Sequence, residues 1–589
     1  MQFLSSILFL LTILCYSNFY SLKFKIDLHK TFLLSVIVII FLGLIYLKFL
    51  YGLTKSNEYF FYSILFIGFA KFFYIKKNFN RTTKLVNLEF ILIYLFFFLL
   101  SQDNYFLDQD EFTYWGKKIK NLHSNGPIHL FKHHGYSLDI FRYLFIFFEY
   151  NEGLLIFSNN VIIICGLFYL FYNPERSIIE KVILFLIFTL LINNLSFGYN
   201  SIYSDPILAI LFASALKFVF KIIHAPILLN KIYLIVFCCI FLFVFFNLNR
   251  ASSIYIFFMV LMPLYFISKK NFFFKNENIF FLNLFLVMIV IEYLFNYIEN
   301  KTLTGNYLLS DIITNFLPTK FLLNLQKILD MLQSPIYFSN FGVSINTIAD
   351  YLFSIDKVLV EHSIPLFFYI IFLFILILIS SFDNKIKINA VIYCMSIIFT
   401  YSFILIVLKY NIEQLSLLAL PRYIGILILA LILFIISIPN KNENLFYKKY
   451  YLITLIIPLL LVSPKKTFGF FVPDSIYYSN KINLEFKKKR NEISLLKDNT
   501  KIYDNYILIH SKNNSDITNP NFAGYHTFYH DILFYEIYPN EYLITELNEF
   551  KNKELKFDKK NTLIILYDLN ENDKILFKEF NNIFEFNSN

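Results

Sequence analysis

Charged residues are scarce in this sequence: Asp, Glu, Lys and Arg together make up 16% of its 589 residues. A soluble globular chain is nearer a quarter charged, so this one lacks the polar side chains needed to coat a folded surface. Glycine is scarce too, with 14 residues, few of them within the apolar runs. That argues against a transporter built on glycine-broken helices. The cysteines, Cys15, Cys165, Cys238, Cys239 and Cys394, all lie inside apolar stretches. None is left in a polar segment, so no extracytoplasmic disulfide is implied. No internal repeat, heptad run or glycine-rich phosphate loop occurs. These absences exclude a soluble enzyme, a disordered scaffold and a disulfide-framed secreted domain.

What fills the chain is apolar. Hydrophobic residues make up 57% and aromatic residues 20%, with 76 Phe, 43 Tyr and a single Trp. Repeated apolar stretches of about eighteen or more residues define a polytopic membrane protein. The expected fold is an all-α polytopic membrane protein of about fourteen transmembrane helices, with a small C-terminal α/β domain. The spans fall near 3–20, 31–51, 59–75, 86–101, 153–172, 181–195, 205–222, 232–248, 251–268, 279–296, 363–381, 388–408, 422–438 and 450–463. No basic region precedes the first run and no small-x-small cleavage site follows it. The first segment therefore reads as a retained helix rather than a cleaved signal.

The net charge is 52 − 42 = +10, and its placement orients the spans. Lys23, Lys25 and Lys30 lie in the first loop, and Lys76, Lys77, Arg81 and Lys84 in the third. Lys269, Lys270 and Lys275, then Lys385 and Lys387, then Lys441, Lys448 and Lys449 fall in later odd-numbered loops. Basic residues accumulate on the cytoplasmic side. The even loops 102–152, 297–362 and 409–421, and the tail after 464, are then extracytoplasmic. This divides the chain into a membrane domain, 1–463, and a soluble domain, 464–589, in the cytoplasmic (inner) membrane. Within the tail, Ile502–Ile509 and Thr562–Tyr567 read as short buried strands.

The chemistry concentrates in the loop 102–152. Asp108, Asp110 and Glu111 cluster there with the chain's only tryptophan, Trp115, and with His123, His129, His133 and His134. Phe112, Trp115, Ile119 and Leu122 recur at helical spacing, with Lys117, Lys118 and Lys120 mainly away from that stripe. Asn125-Gly126-Pro127 stops the pattern. The expectation is a short amphipathic helix in the membrane interface, with Tyr114 and Trp115 at headgroup depth. Asp108-x-x-Glu111 also fits a capping box, and acidic residues at a helix start favour the dipole. Capping leaves Asp110 unexplained. A carboxylate at the membrane surface could instead act as a general base on a hydroxyl nucleophile. The histidine spacing matches no compact metal-ligand pattern, so no metal centre is expected from it. Mg²⁺ or Mn²⁺ held by the carboxylates is the alternative.

An acidic pair just after a membrane exit, an interfacial helix and a His-x-x-Tyr element resemble the first extracytoplasmic loop of the GT-C membrane glycosyltransferases. The aminoarabinose-to-lipid-A transferases and protein O-mannosyltransferases are the most similar types. Asp110-Glu111 stands where that family has its Asp-Glu pair, Tyr114-Trp115 where it has an aromatic-Trp, and His133-His134-Gly135-Tyr136 where it has a His-x-Tyr-Pro element. Ser137-Leu138 replaces the family's prolines at the turn that follows. Ser201-Ile202-Tyr203-Ser204-Asp205-Pro206 resembles a Tyr-x-Asp-Pro-like segment of the family. Leu420-Pro421-Arg422-Tyr423 resembles its late Arg-Tyr pair. The resemblance covers roughly 85–440.

That resemblance implies a glycosyltransferase moving a sugar from a polyprenyl-phosphate donor to a lipid, glycan or protein acceptor, with inversion. Asp110 or Glu111 would be the base. The departing phosphate needs fixed positive charge, which Arg250, Arg422, Lys118 or Arg142 could supply. Asp108, Trp115, His134, Tyr136, Asp205 and Tyr423 are the accessory or acceptor-binding candidates. The alternatives are a lipid-linked glycan flippase or transporter, and a glycan polymerase.

Overall fold

The computed structural model describes residues 2–46, 58–75, 81–102, 116–125, 136–195 apart from 175, 202–224, 317–333, 366–380, 383–412 and 420–438. It also describes residue 315, scattered residues between 240 and 262, and short segments between 505 and 586.

The membrane part is helical because its segments are long runs of Leu, Ile, Phe and Val. Within hydrocarbon, a helix satisfies every backbone N–H and C=O inside the segment itself. The helices are α1 (Gln2–Phe24), α2 (Leu28–Ile45), α3 (Glu58–Ile75), α4 (Arg81–Ser101), α5 (Lys117–Asn125), α6 (Tyr136–Phe145) and α7 (Glu152–Phe171). They continue as α8 (Ile178–Leu195), α9 (Asp205–His224), α10 (Pro318–Gln333), α11 (Leu366–Ile379), α12 (Asn384–Ile404) and α13 (Leu420–Ser437). Beyond Ile404, α12 runs on as a π-helical stretch, Leu405–Ile412.

Among the described residues, six helices are long and apolar enough to cross a membrane: α1, α2, α4, α7, α12 and α13. α11 is a shorter apolar helix. The predicted spans near 279–296 and 450–463 lie outside the described residues, as do most of 232–248 and much of 251–268.

One continuous apolar core joins α1, α2, α4, α6, α7, α9, α11, α12 and α13. Aromatic rings fill much of it. Phe32 stacks on Phe90 at 4.0 Å, and Phe9 meets Phe145 at 4.5 Å. Backbones approach closely where a side chain is missing, as membrane helices commonly arrange with small residues. Gly153, at the start of α7, faces the backbone carbonyls of Ser101 and Gln102 at the end of α4. Asn151 caps α7, its side chain accepting from Leu154 N–H at 2.9 Å. At the opposite end of the bundle, Lys181 of α8 pairs with Glu89 of α4 at 2.9 Å, and Tyr172 donates to the same carboxylate.

Two segments differ from the sequence expectation. The interval 102–152 is not a surface excursion throughout. It contains α6, in which every described side chain from Leu138 to Phe145 is buried. Asp139 and Arg142, a turn apart, make this stretch look interfacial in sequence. They can be buried because each charge finds partners. The interval 297–362, which offers no motif in sequence, contains the amphipathic helix α10.

In the C-terminal part, β1 (Asn505–His510), β2 (Glu541–Glu546), β3 (Thr562–Tyr567), α14 (Glu571–Lys574) and β4 (Ile583–Phe586) are described. The strands form one parallel sheet in the order β2-β1-β3-β4. Ile507, Ile509, Ile564 and Leu566 are buried with Leu547 and Phe577. Near-continuous apolar runs such as TLIILY suit a parallel strand packed on both faces.

Candidate functional site

Polar groups from five distant segments meet at one end of the bundle. This is the end where α4 and α12 finish and where α7, α9 and α13 begin. α5 is amphipathic, with Ile119 and Leu122 buried as their spacing predicts; of the predicted stop, Gly126 and Pro127 lie outside the described residues. Lys118 departs from expectation. Its side chain turns toward the bundle, 9% exposed, and its Nζ lies 2.5 Å from Asp139 Oδ2.

Asp139 and Arg142 sit at i, i+3 on α6, so they share a face. Both side chains are 0% exposed, and Arg142 Nη1 donates to Asp139 Oδ1 at 3.2 Å. Arg142 Nε donates to Asn159 Oδ1 of α7 at 3.0 Å, and Nη2 to the Ile202 carbonyl just before α9. Asn159 Nδ2 donates in turn to the Tyr203 carbonyl at 3.2 Å. The planar guanidinium thus ties three segments together, which an ammonium could not do with the same geometry.

Three residues further on, Asp205 opens α9. A carboxylate in the first turn favours the helix dipole, and Pro206 costs nothing there because its missing N–H would have no helical acceptor. Arg422 sits in the first turn of α13, where the dipole disfavours a cation. Its partner compensates: Arg422 Nε donates to Asp205 Oδ2 at 2.8 Å. The guanidinium also lies over the Tyr203 ring at 4.8 Å and near the Tyr423 ring at 5.5 Å, within cation–π range. Tyr255 and Tyr401, 5.5 Å apart between ring centroids, complete an aromatic wall within electrostatic reach of Asp205.

The structure therefore brings Lys118, Arg142, Asp205, Arg422 and Tyr423 to one region. Asp108, Asp110, Glu111, Trp115, His134 and Arg250 lie outside the described residues, and for Tyr136 only the backbone, at the start of α6, is described. Arg142, offered by the sequence as a phosphate-binding cation at the outer interface, is instead fully buried, with Nε, Nη1 and Nη2 all engaged. The Arg422 side chain is 21% exposed, against 9% for Lys118 and 8% for Asp205.

Asp139 and Asn159 were not singled out from sequence. The signal for Asn159 was present, since adjacent Asn159 and Asn160 interrupt an otherwise apolar span. Polar residues there are costly unless partnered. Asn160 is partnered too, donating to Ser101 at 3.0 Å.

His123 on α5 lies 5.9 Å from the Tyr150 ring. Burial pushes its pKa down, opposed in part by its hydrogen bond to the Ile146 backbone. Among the described residues, no group of three or more His, Cys, Asp or Glu side chains is placed to hold a metal ion.

No protein-family model, no curated protein and no solved structure matches this chain.

Proposed function

We propose that the protein is a GT-C-like membrane glycosyltransferase that moves a sugar from a polyprenyl-phosphate donor to a lipid, glycan or protein hydroxyl. On this reading about fourteen spans carry a C-terminal α/β domain, 464–589, on the extracytoplasmic side of the inner membrane. The observation that carries the reading is the polar cluster Lys118, Asp139, Arg142, Asp205 and Arg422 at one end of the bundle. The run Asp108 to Glu111 ends six residues before α5, the helix that Lys118 ties into that cluster.

In the proposed reaction, Asp110 or Glu111 accepts the proton of the acceptor hydroxyl. The acceptor oxygen attacks the anomeric carbon from the face opposite the phosphate. The carbon–oxygen bond to phosphate breaks, and polyprenyl phosphate leaves with both bonding electrons. Arg422 and Arg250 are the cations assigned to that leaving group. Arg142 serves differently, holding α6 against α7 and the start of α9. No metal is required by this scheme; carboxylate-bound Mg²⁺ or Mn²⁺ is the variant of it.

The test is sugar transfer by the full chain in nanodiscs, supplied with mixed polyprenyl-phosphate sugars and membrane glycolipids. A mass gain in an acceptor, absent with Asp110→Asn and with Glu111→Gln in folded protein, supports the assignment. Full transfer by both variants refutes the catalytic assignment. Scrambling of lipid-linked glycans by the wild type without any transfer moves the function to a flippase.

A further inference from the structure

α10 presents three different faces. Asn324, Ile328 and Met331 are buried, at i, i+4 and i+7, against the rest of the protein. This face is pinned by a polar clasp on the π-helical end of α12. Asn411 Nδ2 donates to Asn315 Oδ1 at 2.8 Å and to Asn324 Oδ1 at 3.0 Å. Lys327 Nζ donates to Asn411 Oδ1 at 2.9 Å and lies over the Tyr410 ring at 4.4 Å. Phe321 packs on Phe403 at 5.5 Å.

The second face is an apolar seam, Leu322, Leu325, Leu329 and Leu332, at i, i+3, i+7 and i+10. Its outer members are open: Leu322 is 66% and Leu329 53% exposed. The third face carries Thr319, Gln326, Asp330 and Gln333, all exposed, with Gln326 donating to Asp330 at 3.0 Å. Leu323 is the one leucine on that polar side.

A helix of 16 residues reaches about 24 Å, short of a span. Beside the seam, Phe321 packs on Phe403, whose ring lies 6.5 Å from that of the exposed Phe399. α10 packs on α11, α12 and the π-helical stretch. Those helices leave Phe367, Phe368, Ile392, Met395 and Phe399 exposed on an otherwise apolar exterior. α12 is long and apolar enough to cross the membrane, so this exterior is the lipid-facing surface of the bundle.

We infer that α10 is an interfacial helix seated in the bilayer leaflet at the Arg422 end of the bundle, its Leu322–Leu329 seam among lipid acyl chains and its Gln326–Asp330 face toward water. Protein on one side, hydrocarbon on the second and water on the third account for all three faces. The occupant of the seam is the bilayer itself, because the seam continues the lipid-facing surface of α11 and α12. This inference concerns the membrane position of 318–333 and holds whether or not the protein transfers sugar.

The single native tryptophan makes the test direct. Full-length protein carrying Leu322→Trp, Leu329→Trp or Gln326→Trp is reconstituted in vesicles, with the unsubstituted protein supplying the Trp115 background. The expected result is blue-shifted emission for L322W and L329W, with loss of their added intensity to brominated lipid and little loss to aqueous acrylamide. Q326W gives the reverse. Equal acrylamide quenching of all three overturns the inference. A blue shift without bromolipid quenching also overturns it and points to a second copy covering the seam. Monodisperse elution of each variant in detergent keeps misfolding apart from these outcomes.

Discussion

Replacing Asp139 with Asn should be among the most damaging single changes in the described part of the protein. Among the described residues, two cations, Lys118 and Arg142, are paired with one carboxylate, Asp139. Asp139→Asn keeps the shape and leaves both cations in a site where Asp139 and Arg142 are 0% exposed. Removing one partner of a buried, hydrogen-bonded ion pair typically costs about 3–5 kcal/mol. Lys118→Met has the opposite electrostatic effect, because it leaves the Asp139–Arg142 pair neutral. It should cost far less, about 1 kcal/mol or below, in line with replacing a charge by an apolar side chain of similar size. The double variant should recover part of the Asp139→Asn loss, since it removes one of the two cations that Asp139 pairs. Unfolding of the four proteins in one detergent, by heat or denaturant, gives the cycle. If Asp139→Asn costs no more than a surface substitution, about 0.5 kcal/mol, the argument from buried charge is wrong. If Lys118→Met proves the more damaging of the two, the balance of charge has been misjudged.

Two further outcomes follow from the packing and from the His123 environment. Gly153→Ala would drive a Cβ against the Ser101 and Gln102 carbonyls, which are backbone atoms and cannot rotate away. The ends of α4 and α7 must then separate, at about 1–3 kcal/mol, readable as a lower unfolding midpoint. His123 has a lowered pKa in the folded protein, so folding favours its neutral form. Its contribution is fully present above the ordinary histidine value of about 6.5 and is lost as pH falls through the lower folded value. His123→Phe should therefore flatten the fall in stability between neutral and acidic pH, and an unchanged slope counts against the burial argument.

The proposed site was legible in part. Asp205 and Arg422 stand out because each is a charged residue opening an apolar helix, next to a proline. Sequence spacing could not show that they pair, because 217 positions separate them. In sequence Lys118 lies mainly away from the apolar stripe of α5, as a candidate cation for the leaving phosphate. It is instead drawn inward by Asp139, a residue that gives no local sign of its importance beyond the charge at i+3.

By itself the sequence determined what depends on composition and short-range spacing. Long apolar runs became helices close to the predicted limits, as in α7 and α13, because hydrocarbon leaves the backbone no other way to satisfy its polar groups. The strand Thr562–Tyr567 was equally local. Tertiary structure decided what depends on pairing across the fold. It made α6 a buried helix rather than a surface one, tied α10 to Asn411, and joined Lys118, Asp139, Arg142 and Asn159 into one network. The physical reason is the same in each case. A charge or amide can leave water only if a distant segment supplies its partner.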